Sequence, residues 1–108
     1  LGGFKMKVSN FYNKNQFVIF GDNSEVVFQS YDSEIAKIGH DGELILGIDW
    51  DYSNTTLRHL YLFLNDYWCN LNSNTRNILK DLNKKASKKS YIQKLIDDKK
   101  IKYDENMR

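Results

Sequence analysis

The chain has 108 residues, enough for one domain whose single core buries roughly 65% of the surface exposed by the unfolded chain. Sixteen basic residues against fourteen acidic ones leave a formal charge of +2, which excludes the strongly acidic composition of a nucleic-acid mimic. No apolar run approaches ~18 residues and the N-terminus lacks signal-peptide order, so neither a membrane span nor a leader is expected.

Met6 reads as the natural start, and Leu1-Gly2-Gly3-Phe4-Lys5 as an expression remnant or variant start, which places a single domain over 6–108. Met6 to Tyr12 reads as a first strand and Asn13-Lys14-Asn15 as a turn. Gln16 to Phe20 is a second strand. Gly21-Asp22-Asn23-Ser24 then closes a hairpin onto Glu25 to Tyr31. In that third run apolar residues fall on both faces, so neither face is simply solvated. Asp32-Ser33 turns the chain into Glu34 to Ile38. Gly39-His40-Asp41-Gly42 is the clearest hairpin signal, because Asp-Gly supplies the positive φ of a tight turn, and Glu43 to Ile48 follows as a fifth strand. Strand-turn-strand order throughout predicts an antiparallel meander.

Asp51 and Ser53 stand ahead of Thr55, Thr56 and an apolar stripe, which is a helix start. Leu57, Leu60, Tyr61, Leu64, Tyr67 and Trp68 recur at helical spacing and predict one long helix from about Ser53 to Trp68. Leu62 and Phe63 lie outside the stripe, and Arg58, His59, Asn65 and Asp66 form the polar side. After the break at Asn70-Leu71-Asn72-Ser73-Asn74, a second helix is expected from Asn74 to about Lys85, with Ile78, Leu79 and Leu82 inward. A third is expected after Ser87, burying Tyr91, Ile92, Leu95 and Ile96. Ile101-Lys102-Tyr103 reads as a short edge strand, and the tail from Asp104 to Arg108 is expected to fray. The fold class is α+β: a sheet of about five strands on one long helix, two shorter helices and that edge strand.

Proline is absent, Asn is frequent and Lys far outnumbers Arg, the coding bias of an AT-rich genome such as a low-GC bacterium or its mobile elements. The lone Cys69 cannot pair internally and fits a small buried residue in a reducing cytoplasm. His40-Asp41-x-Glu43 is explained by its turn. Asp49-x-Asp51 could hold a hard cation, but a strand exit followed by a helix cap needs none. His59 has no nucleophile at a readable spacing. No enzyme chemistry, metal or cofactor is therefore expected.

The basic residues are unevenly spread: four lysines face seven acids in 1–50, and twelve bases face seven acids in 51–108. Across 76–94, Arg76, Lys80, Lys84, Lys85, Lys88, Lys89 and Lys94 are opposed only by Asp81. On a helical projection Arg76, Lys80 and Lys84 fall opposite Ile78, Leu79 and Leu82. Such a patch suits phosphates or an acidic protein surface, and the two helices around Ser87 could form a helix-turn-helix. The blander reading is a solvated lysine-rich face. The patch is nearly all Lys, poor in the fork chemistry that reads base edges, so phosphate or protein contact is favoured over sequence-specific DNA reading.

Three blocks carry a resemblance: Asn10 to Phe17, Phe28-Gln29-Ser30-Tyr31-Asp32-Ser33-Glu34-Ile35-Ala36-Lys37, and Trp50-Asp51-Tyr52-Ser53-Asn54-Thr55-Thr56. Over about Met6 to Leu64 the chain resembles small proteins and accessory domains from phages, plasmids and pathogenicity islands of low-GC Gram-positive bacteria, a domain type found in anti-CRISPR proteins. The resemblance implies a mobile-element inhibitor that binds a type II CRISPR effector nuclease or its guide RNA complex without catalysis. It supplies no catalytic residues. The other reading is a nucleic-acid-binding accessory protein of a phage or plasmid. In either case the blocks themselves are expected to be scaffold: Phe28 and Tyr31 packing, Ser33 in a turn, Trp50 and Tyr52 wedged between sheet and helix, Ser53 capping.

Overall fold

The computed structural model describes residues 7–21 and 23–108. Residues 1–6 and Asp22, and with them the expected expression remnant or variant start, Met6 and part of the second turn, lie outside the described residues. Five strands, β1 (Lys7–Asn10), β2 (Gln16–Phe20), β3 (Val26–Ser30), β4 (Ser33–Ile38) and β5 (Leu44–Gly47), are antiparallel neighbours in chain order. The connections are short, so each strand pairs with the one before it. At the Asp-Gly turn Gly42 has φ +84°, and Asp41 Oδ1 accepts the Glu43 N–H at 3.0 Å.

The expected edge strand is present as β6 (Lys102–Asp104), but it runs parallel to β5, with Ile45 opposite Lys102 and Gly47 opposite Asp104. A parallel neighbour requires a long crossover, which the helical half of the chain provides. The tail does not fray. Met107 is buried, and its carbonyl accepts the Ile48 N–H at 3.1 Å. Gly47 makes this approach possible, since a Cβ there would lie 2.5 Å from the Met107 carbonyl oxygen and 2.7 Å from that of Glu34.

Helix α1 (Asn54–Phe63) starts at Ser53, whose Oγ accepts the Thr56 N–H at 3.1 Å. The single long helix expected over 53–68 is corrected: α1 ends at Phe63 and widens into a π-helical segment, Leu64–Trp68. With i→i+5 bonding each residue turns by less than the ~100° of an α-helix, so Trp68 falls nearly above Leu64. Both are buried, and the indole N–H reaches the Gly42 carbonyl at 3.0 Å. Phe63, expected beside the stripe, is at its centre with no exposed surface, and His59, expected on the polar side, is buried with Nδ1 2.8 Å from the Thr55 carbonyl.

Helix α2 (Ser73–Lys84) opens on a capping box: Asn72 Oδ1 accepts the Thr75 N–H at 2.9 Å and Thr75 Oγ1 accepts the Asn72 N–H at 3.3 Å. Helix α3 (Lys88–Asp97) is capped by Ser87. It ends with Lys99 at φ +59° and the Lys100 N–H on the Leu95 carbonyl.

The fold is thus α+β, with a six-stranded, mostly antiparallel sheet and three helices. Phe28 stacks on Phe63 at 5.6 Å between centroids, and Phe11 packs against both. Gln16 is buried beside Ser30, its cross-strand partner, and neither amide atom has a partner among the described residues. On the opposite face Val8, Ile19, Val27, Lys37 and Ile45 form one cross-strand row, all half-buried or exposed. No helix among the described residues is long and apolar enough to cross a membrane.

A Gly47→Ala substitution forces a methyl group against two backbone carbonyls, and is expected to cost about 1–3 kcal/mol and release the C-terminal tail. Urea unfolding and amide exchange at Ile48 check this; unchanged stability with Ile48 still protected would refute the close approach.

Candidate binding surface

The three residues Lys85, Ala86 and Ser87 separate α2 from α3. On α2, Thr75, Ile78, Leu79 and Leu82 are buried, which leaves Arg76, Lys80 and Lys84 as an exposed stripe, four residues apart, on the side away from the core. Lys84 lies in the last turn, where a cation complements the helix dipole. At the start of α3 the opposite holds. Lys88 and Lys89 occupy the first turn, which holds no acid of its own, an arrangement that disfavours the helix by about 0.3–1 kcal/mol per charge. These lysines do not serve the helix they begin.

The seven bases are not equivalent. Lys85 Nζ sits 5.2 Å from the centre of the Tyr91 ring, a cation–π contact, and Lys88 Nζ donates to the Lys85 carbonyl at 3.4 Å. Partial burial, reinforced by the charge of Asp81, raises the pKa of the Tyr91 phenol. Lys89 turns the other way, to Asp51, at 3.7 Å from Oδ2. Both partners are partly exposed, so this pair orients more than it stabilises. Lys94 is exposed on the flank of α3 away from Lys89, about 140° around the helix at 100° per residue. The structure therefore gathers Lys84, Lys85 and Lys88 at one corner, extends them along α2 through Lys80 and Arg76, ties Lys89 into the β5–α1 loop and sets Lys94 apart.

The carboxylates weighed as metal ligands are otherwise engaged. Asp41 closes its turn, Glu43 pairs with Lys102 at 3.0 Å, Asp49 Oδ2 accepts from the Ser33 hydroxyl at 3.2 Å, and Asp51 holds Lys89. Among the described residues no group of three or more His, Cys, Asp or Glu is placed to hold a metal ion.

Two residues expected in packing roles are on the outside. Trp50 is buried, as a wedge requires, but Tyr52 is 79% exposed and Tyr31 59% exposed. Type alone misled here, since an aromatic beside a turn reads as core until its backbone direction is known. Phe28 and Ser30 are the core-facing positions of β3, so alternation puts Tyr31 on the other side, at the start of the two-residue β3–β4 turn with φ +53°.

The profile of a family of unknown function (DUF8033) matches residues 5–94, from the residues before β1 into α3. No curated protein and no solved structure matches the chain.

Ser53 fixes where α1 begins, and with it the loop that presents Asp51 to Lys89 and Tyr52 to solvent. Ser53→Ala is expected to cost about 1 kcal/mol of stability, read by thermal or urea unfolding; no loss would mean that another residue caps α1.

Proposed function

The chain belongs to this family of unknown function, and on that premise we propose that it is a non-catalytic binding protein of a mobile genetic element. It acts as an anti-defence inhibitor, docking on a type II CRISPR effector nuclease or its guide RNA through the α2–α3 corner. The observation that carries this reading is the crowding of Lys84, Lys85, Lys88 and Lys89 into six residues. Two of them stand at a helix start where their charge is unfavourable. Asp51 offsets this for Lys89; at the half-buried Lys88 no acid does so among the described residues, and that supports a role in contact with something outside the chain. An effector of this kind grips its heteroduplex through backbone charge, so a lysine corner suits both its guide phosphates and acidic patches of its protein surface.

A second reading, a nucleic-acid-binding accessory protein of a phage or plasmid, draws on the same lysines and the three-residue turn between α2 and α3. The neighbourhood favours the first. Asp51 sits against Lys89, with Asp49 two residues earlier, and a phosphate backbone laid along this edge would meet those carboxylates. A protein partner carrying both signs would not be repelled.

Charge reversal at Lys84, Lys85, Lys88 and Lys89 together is expected to abolish binding to a guide-loaded type II effector while leaving the circular dichroism spectrum unchanged. Unaltered binding would remove the corner from consideration. For the wild-type chain, binding that weakens only modestly with added salt supports a protein interface. A log–log slope near −0.9 per phosphate contacted, on free duplex as well as on the effector, would favour the accessory role.

A further inference from the structure

Next to the lysine corner, beyond Asp51, the β3–β4 turn faces the start of α1 across an open cleft of about 560 Å³. Its walls come from the two stretches read as scaffold, with Tyr31, Asp32 and Ser33 on one side and Tyr52 and Thr55 on the other; Asp49 stands between them. We propose that this cleft is a receptor for an arginine side chain of a partner protein.

Three observations carry the assignment. The first is Tyr31. Its φ of +53° is left-handed, a conformation that costs a bulky residue roughly 1–2 kcal/mol and that glycine adopts freely. The turn holds that backbone through the Tyr31 N–H on the Asn15 carbonyl and the Gln29 amide on the Tyr31 carbonyl, both at 2.7 Å, while the ring itself remains more than half exposed. Tyr52, across the cleft, is more exposed still. Two aromatic rings held at a cleft mouth, one at a conformational cost, are suited to a flat partner that stacks.

The second is charge. The cleft is lined by the carboxylates of Asp32 and Asp49 and by no lysine or arginine. Anionic ligands are repelled and a cation is attracted. A planar guanidinium satisfies both conditions at once: it stacks on tyrosine faces and donates paired N–H groups to a carboxylate, which an ammonium does less well. The Ser33 hydroxyl, donating to Asp49 Oδ2 at 3.2 Å, orients that carboxylate and leaves Oδ1 to accept.

The third is the floor. Ser30 and Thr56 are buried there, and among the described residues the Ser30 hydroxyl reaches only Thr56 Oγ1, at the long distance of 3.5 Å. Thr56 Oγ1 is also engaged by Ser53 Oγ at 3.0 Å, so the capacity left at the floor of the cleft is that of the Ser30 hydroxyl, which can accept from a ligand whose polar head carries several donors.

The site is separate from the lysine corner, and each can fail alone. Isotope-labelled full chain, titrated with the capped tripeptide acetyl-Gly-Arg-Gly-amide, is expected to show amide shift changes confined to residues 30–35 and 49–56. The citrulline counterpart, neutral and of the same shape, should leave them unmoved, and the lysine counterpart should bind more weakly. Asp49→Asn should weaken binding about tenfold. Tyr31→Gly should weaken it about threefold while the unfolding midpoint stays level or rises. The fourfold lysine reversal should leave the titration unchanged. No response at the cleft, an equal response to citrulline or lysine, or undiminished binding by both cleft variants would overturn the assignment.

Discussion

The stacked pair Phe28–Phe63, neither ring with any exposed surface, is the contact on which the arrangement of this protein depends. It joins the middle of β3 to the end of α1 and so sets where the helix lies on the sheet. Phe11 reaches both rings from the β1–β2 connection, and Tyr67 bridges Phe63 to Phe20 from the π-helical segment. Five aromatic side chains from three strand-side segments and one helical run thus form a single tilted cluster. Each such pair adds about 0.5–1.5 kcal/mol beyond the area it buries. The geometry also matters, because with Phe63 placed on Phe28 the opposite end of α1 falls beside the β3–β4 turn.

From that placement the surfaces follow. The amino end of α1 meets Ser30 and Tyr31, with Thr56 Oγ1 3.5 Å from Ser30 Oγ, and the loop before it carries Asp49, Asp51 and Tyr52 into the same region. At the other end the widened turn brings Trp68 to Gly42 and lets Asn65 exchange amide hydrogen bonds with Asn83 of α2. Asn83 sits one residue before Lys84, so the position of the lysine corner is coupled to the π-helical segment. An acidic, tyrosine-rimmed cleft and a lysine corner then stand side by side, joined by Lys89 and Asp51. Adjacent patches of opposite sign specify a partner more narrowly than either would alone, since a surface that suits one repels or misses the other.

Much of the local architecture could be read without coordinates. Strand and turn order through Ile48, the cap at Ser53, the start of a helix after Ser87 and the inward residues of α2 are all stated by a few neighbouring side chains. So was the division of α2 into a buried side and an Arg76–Lys80–Lys84 side. The widening at Leu64 was not legible, because apolar residues at 60, 61, 62, 63, 64, 67 and 68 are too dense to fix one period. Nor was the parallel pairing of β6, whose three residues are all exposed and are held by backbone bonds that carry no side-chain pattern. The candidate surface was half visible. Its lysines could be counted, but the turning of Lys89 to an aspartate 38 positions away could not.

What the sequence determined by itself is everything decided within a turn or two of chain: alternation, helical stripe, caps, the Asp-Gly hairpin and the lysine run. Only the tertiary structure decided that Tyr31 and Tyr52 face outward around one cleft, that Met107 locks over Gly47, and that a cleft of one charge adjoins a corner of the other. The reason lies in range. Backbone preference and hydrogen bonding to near neighbours act over a few residues, whereas the meeting of distant segments depends on which arrangement removes most apolar surface from water, a quantity that belongs to the whole chain.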